Sequence, residues 1–188
     1  MKIKKSDLVL LIINIVYLII FAFLFLGKKN YEFLLYIGVV IFFLILISLL
    51  HLKVKFSYDI LIGLTAWGLL HMLGGAVIVN NEVLYAYWIF PFLRYDMFVH
   101  FFGFGVTTLL AYHLLKPYLR LTSRSFLIGF FLVLIAMGFG ALNEIIEFIA
   151  VILVPETGVG GYNNTMWDII FNTFGGIAGV IYLRLRKR

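Results

Sequence analysis

Seven polar side chains interrupt oily segments of this chain, and most of them are paired at the spacing of a helix turn. Asp96 and His100 are four apart, Glu144 and Glu147 three apart, Asp168 and Asn172 four apart, and His71 stands alone in WGLLHMLGG. Residues at i,i+3 and i,i+4 share one helix face. Imidazoles with several carboxylates suit a divalent metal such as Zn, Mn or Fe, and a metal-bound water is a nucleophile at neutral pH. On that chemistry His71, Asp96, His100, Glu147 and Asp168 are candidate ligands. Glu144 is a candidate general base, and Asn172 contacts the substrate or orients a ligand. No HExxH or ExxH motif is present, so the spacing marks a polar site more sharply than it marks a metal.

The elements that must position these residues are membrane helices. Of 188 residues, 64% are hydrophobic and only 13% charged, about half the charge fraction of a soluble domain. The length fits one domain spanning 1–188. Six apolar segments stand out: Leu8 to Leu26, Tyr31 to Leu50, Ser57 to Val79, Phe98 to Leu115, Ser125 to Val154 and Trp167 to Leu183. Each is near or above the roughly 18 residues needed to span a bilayer. The first resembles a signal peptide in its basic start, but its core is too long and no small-residue cleavage site follows. The fifth, about 45 Å long at 1.5 Å per residue, must tilt, protrude or break. Between the third and fourth, VLYAYWIFPFLR (83–94) is aromatic and interrupted by Pro91, as expected of an interfacial or re-entrant segment. The expected fold is all-α, a polytopic membrane bundle of six transmembrane helices with this interfacial piece.

Net charge +6 would suit nucleic acid, but the basic residues lie at the ends of apolar runs, so no nucleic-acid partner is expected. Twelve of the 15 Lys and Arg (Lys2, Lys4, Lys5, Lys53, Lys55, Lys116, Arg120, Arg124, Arg184, Arg186, Lys187, Arg188) fall on one side of a six-span topology, and Lys28, Lys29 and Arg94 on the other. The positive-inside rule then puts both termini in the cytoplasm of a cell-membrane protein. With no cysteine, disulfides and thiolate sites are excluded. Gly175 and Gly179 form a GxxxG, and Gly103, Gly105, Gly138 and Ala141 are also small, as close helix packing in lipid requires.

On this topology the polar residues share a depth. His71 lies roughly 21 Å up its helix from the inner side, and Glu144 roughly 27 Å. Asp96, His100, Asp168 and Asn172 open helices that start outside. Intramembrane ionisable groups normally face the bundle interior or a wet cavity, so an outward-facing pocket of four carboxylates, two imidazoles and an amide is expected. Each residue also has a plainer reading. His71 alone suits a buried histidine bonded to its surroundings, and Asp96 suits a solvated loop. Thr165-Met-Trp-Asp168 matches a capping box at a helix start. Asp59 belongs to a helix terminus. Asn163-Asn164-Thr165 is a chance glycosylation sequon, and His51 and His113 are incidental. Glu144 and Glu147 resist such readings, because two carboxylates on one face repel unless a cation, a proton or donors intervene.

RYDMFVHFFGFG (94–105), HMLGG (71–75), the ExxE of Glu144 and Glu147, and DIIFNTFGG (168–176) together resemble the YjdF-like family of small membrane proteins. The Asp168, Asn172 and Gly175 pattern also resembles the wider VanZ-like group. That group has E-x-x-Q and a downstream arginine; here Glu147 takes the second position and no arginine precedes Asp168, so the YjdF-like match is closer. It covers about residues 60 to 180. The resemblance implies a multi-pass membrane protein and carries no reaction with it; the VanZ-like group is linked to glycopeptide resistance and the cell envelope. Three functions remain open. The favoured one is a metal-dependent enzyme on a lipid-linked or cell-envelope substrate. The alternatives are a proton- or cation-coupled transporter or ligand-binding protein, and a structural subunit with a buried polar cluster. The partner common to all is the lipid bilayer; the oligomeric state is unspecified.

Overall fold

A computed structural model describes residues 4–119 and 125–186. Lys2, Arg120, Arg124, Lys187 and Arg188, used above for orientation, lie outside the described residues. Six helices are long and apolar enough to cross a membrane: α1 (Lys5–Gly27), α2 (Tyr31–Val54), α3 (Tyr58–Ala76), α4 (Tyr95–Leu115), α5 (Ser125–Leu153) and α6 (Tyr162–Arg186). The protein is therefore an all-α, multi-pass membrane fold, as expected. α5 runs unbroken for 29 residues. The chain divides into two compact units, Met1–Tyr95 with Ala150–Gly158, and Asp96–Ile149 with Val159–Arg188.

In the first unit, polar residues join helices whose outer surfaces are mostly apolar. Asn14 of α1 donates to Thr65 Oγ1 of α3 at 2.8 Å and to the Leu10 carbonyl at 2.7 Å, and accepts from the Tyr17 hydroxyl at 2.8 Å. In lipid such interhelical bonds and small residues replace the hydrophobic drive that packs helices in water. The Tyr17 hydroxyl lies where a Cβ on Gly68 would stand, so glycine is what lets α1 reach α3. Asn30 starts α2 by accepting the Phe33 amide at 3.1 Å, the usual role of an N-cap amide side chain. Lys28 Nζ donates to the Ala76 carbonyl at the end of α3, 2.9 Å away, where the helix dipole favours a cation.

The segment between α3 and α4 holds two small hairpins. β1 (Ile78–Val79) pairs antiparallel with β2 (Glu82–Val83), joined by Asn80 and Asn81, both at positive φ. That is the two-residue turn asparagine tolerates best after glycine. A 3-10 turn follows at Leu84–Ala86, and β3 (Trp88–Phe90) then pairs with β4 (Leu93–Arg94) across Pro91-Phe92. Trp88, Phe90 and Phe92 are exposed, in keeping with a headgroup-level position for this aromatic piece.

The second unit is built on glycine. A Cβ on Gly175 of α6 would run into the Phe101 carbonyl of α4 and come within 3.0 Å of the Gly105 amide; one on Gly179 would lie 2.8 Å from the Gly105 carbonyl and 2.8 Å from Thr108. Gly176 faces the other way, and its Cβ would sit 3.2 Å from Ala136 of α5. α6 thus meets α4 and α5 on two faces, backbone to backbone on the first. Gly138, also read as a packing glycine, has open space where its Cβ would be. Gly175→Ala should therefore destabilise the fold by about 1–3 kcal/mol through overpacking, whereas Gly138→Ala should be neutral or stabilising by up to about 1 kcal/mol from helix propensity. Unfolding midpoints of the two variants in one detergent measure the difference.

Candidate functional site

Asp96 and His100 project from the first turns of α4, Glu144 and Glu147 from α5, and Asp168 and Asn172 from α6. All six lie in the second unit, and they converge on the His100 ring. Nδ1 of His100 is 2.9 Å from Asn172 Oδ1. Facing Nε2 are Asp96 Oδ1 at 3.5 Å, Glu147 Oε1 at 3.8 Å and Asp168 Oδ1 at 4.0 Å. Glu144 Oε1 lies on the Nδ1 side at 3.9 Å. Asn172 and Asp168 are almost fully buried, and Asp96 and His100 nearly so.

Amide side chains orient the acids. The Asn164 amide donates to Asp96 Oδ2 at 3.2 Å and to Asp168 Oδ2 at 2.5 Å. Each aspartate thus spends Oδ2 on Asn164 and turns Oδ1 toward the imidazole. Asn143 donates to Glu147 Oε1 at 2.7 Å. Neither asparagine is among the candidate site residues, and Asn164 is set aside with its sequon, although each lies four residues before the acid on its own helix that it bonds, Asn143 before Glu147 and Asn164 before Asp168. That same-face spacing is the signal. The helix start also differs from the capping-box reading. α6 begins at Tyr162, with the Asn164 and Thr165 amides bonded to the Gly161 carbonyl. Asp168 therefore stands well inside the helix, where it serves the cluster rather than the terminus.

Two electrostatic consequences follow. In the orientation where Asn172 Oδ1 accepts from Nδ1, a neutral ring aims its Nε2 lone pair at three carboxylates. That arrangement is repulsive unless Nε2 is protonated or a cation lies between. The acids also crowd one another: ligand atoms of Asp96, His100 and Asp168, and of His100, Glu144 and Glu147, lie within 4.8 Å of each other in each group. Two ionised carboxylates at that separation repel by roughly 3 to 4 kcal/mol at an effective dielectric near 20. The distances from Nε2 are long for hydrogen bonds. They approach the edge of a coordination polyhedron, about 3.4 Å between tetrahedral ligands bonded at about 2.1 Å. Glu144 Oε1 and Asn172 Nδ2 are buried without a hydrogen-bond partner among the described residues, which leaves capacity for a further ligand.

His71 belongs to neither converging group. It stands on α3 in the first unit, its ring stacked on Trp67 at 5.6 Å and flanked by Tyr36 at 5.4 Å and Phe33 at 5.8 Å. Nδ1 is hydrogen-bonded to the Tyr85 hydroxyl. The ring is half-buried among aromatic side chains.

Asn172 is held in place by Gly140, where a Cβ would come 2.5 Å from Nδ2. Gly140→Ala should push the amide off His100 and leave every charge unchanged. The ¹⁵N spectrum of histidine-labelled protein should show His100 as an Nδ1–H ring in the wild type and lose that signature in the variant, with helix content preserved.

Comparison with curated proteins and with solved structures gives no match. One family model does match, over residues 9–188, a span that includes every residue of the cluster. The chain belongs to this family, the predicted membrane protein family DUF2238.

Proposed function

We propose that the His100 cluster binds one divalent cation and uses it for hydrolysis or transfer on a phosphate- or ester-bearing lipid-linked or envelope substrate. The observation that carries the reading is the set of three carboxylate oxygens facing His100 Nε2 at 3.5, 3.8 and 4.0 Å. Nε2, Asp96 and Asp168, which form one converging group, would hold the ion, with Glu147 drawn in from the neighbouring group. A cation there removes the lone-pair repulsion and neutralises most of the acid crowding at once, which a single proton does less completely. Zn, Mn and Fe accept such a donor set.

The remaining groups take distinct roles. Asn172 holds the Nδ1 proton and sets the ring orientation, and Asn143 and Asn164 aim the acids, as outer partners do in metal sites. Glu144 Oε1 lies 3.9 Å from Nδ1, beside Glu147, and is buried with no hydrogen-bond partner among the described residues. It is the base that takes a proton from a water attacking phosphorus or a carbonyl carbon. The lysine and arginine distribution supports an outward-facing cluster with both termini in the cytoplasm, and hence an envelope-side substrate. The motif likeness to the YjdF-like group supports placing the chain beside that group within its membrane family.

Purified protein reconstituted with Mn²⁺ should hold about one ion per chain, bound more tightly as pH rises and the acids deprotonate. Asn172→Ala should weaken binding by roughly 10- to 100-fold, His100→Ala and Glu147→Gln by more, and Glu144→Gln little. A polyprenyl phosphate or phospholipid probe should be cleaved only with both the ion and Glu144. Full ion occupancy in His100→Ala would refute the assignment.

A further inference from the structure

The first unit contains a cavity of about 170 Å³ between α1, α2 and α3. It borders α1 from Asp7 to Tyr17 and α2 from Val40 to Leu52, lengths of about 15 and 18 Å at the helical rise. It is therefore a narrow slot along the helix axes, walled by leucines such as Leu11, Leu44 and Leu64. One end is closed by Tyr17 over Gly68. The other end is polar. Asp7 Oδ2 meets His51 Nε2 at 3.2 Å, Ser48 lines the wall one turn before His51, and His51 Nδ1 is buried with no hydrogen-bond partner among the described residues.

The polar end is also the basic end. The Asp7–His51 contact joins the start of α1 to the end of α2, and these two helix ends carry Lys4, Lys5, Lys53 and Lys55, all exposed. Basic clusters at the mouth of a crevice between membrane helices bind anionic lipid headgroups, and each buried CH₂ of a chain adds its own transfer energy. We propose that this slot is a binding site for one anionic glycerophospholipid. Its acyl chain lies in the slot, its phosphate rests by the lysines, its ester oxygens accept from the Ser48 hydroxyl, and a headgroup hydroxyl donates to His51 Nδ1. A compact ring-shaped ligand fits a slot of this length poorly, and a zwitterionic lipid leaves the lysines unmatched.

Native mass spectrometry of the full chain tests this with two probes of identical chains, palmitoyl-oleoyl phosphatidylglycerol and palmitoyl-oleoyl phosphatidylcholine. The wild-type protein should retain one phosphatidylglycerol with a preference of about tenfold or more over phosphatidylcholine, the scale set by a few juxtamembrane charges. Ser48→Phe, which fills the slot, should abolish retention of both. Lys5→Glu with Lys53→Glu, confined to exposed positions, should remove the preference and spare the fold. Equal retention of the two lipids by the wild type overturns the proposal, and so does an unchanged preference in the lysine variant, whether or not Ser48→Phe folds.

Discussion

The backbone approach of α6 to α4 at Gly175 is the constraint on which the candidate site depends. A side chain there would collide with the Phe101 carbonyl. Phe101 adjoins His100, and Gly175 is three residues from Asn172, so the same contact that packs the helices brings the imidazole within 2.9 Å of the amide. From that point the rest follows by helix geometry. Asp96 is one turn before His100 on α4, Asp168 one turn before Asn172 on α6, and Asn164 one turn further, where its amide ties the two aspartates together. On α5, Gly140 leaves room for Asn172 and places Glu144 and Glu147 at the next turns. Small residues set the distances and polar residues exploit them.

Buried acid clusters are unfavourable in hydrocarbon unless something balances them. Here the neutral amide of Asn164 holds one oxygen of Asp96 and of Asp168, and the other faces His100. Amides orient carboxylates without cancelling their charge. The crowding of these acids is the physical argument behind the proposed cation site, which the Nδ1 bond to Asn172 puts beside Nε2. The first unit solves a different problem with similar means. Asn14 bonds both Thr65 and Tyr17, and the ring of His71 packs against Trp67, Tyr36 and Phe33.

Much of this was legible in the sequence, for reasons that are themselves physical. A bilayer requires long apolar helices, so six of them could be counted directly. The i,i+3 and i,i+4 spacing of acids, His100 and Asn172 showed which residues share a face. What could not be read was the role of residues that look like loop. Asn163, Asn164 and Thr165 suggest a turn, yet they form the first turn of α6, five residues before the apolar run begins, because Asn164 has buried acids to bond. Asn143 was hidden among leucines and glutamates for the same reason. The hairpin at Asn80-Asn81 had a readable turn signal that aromatic content overshadowed. His51, set aside as incidental, pairs with Asp7, a contact across 44 residues that no local pattern announces. His71 lies outside both converging groups and packs against Trp67 and Tyr85.

The account stands on a cation beside His100 Nε2, and anomalous diffraction from crystals grown with Mn²⁺ tests that most directly. A single strong peak about 2 Å from His100 Nε2, with Asp96, Glu147 and Asp168 oxygens drawn in around it, is the predicted result. No anomalous density at that position in protein saturated with Mn²⁺, with Nε2 instead within hydrogen-bond distance of a carboxylate, would contradict it.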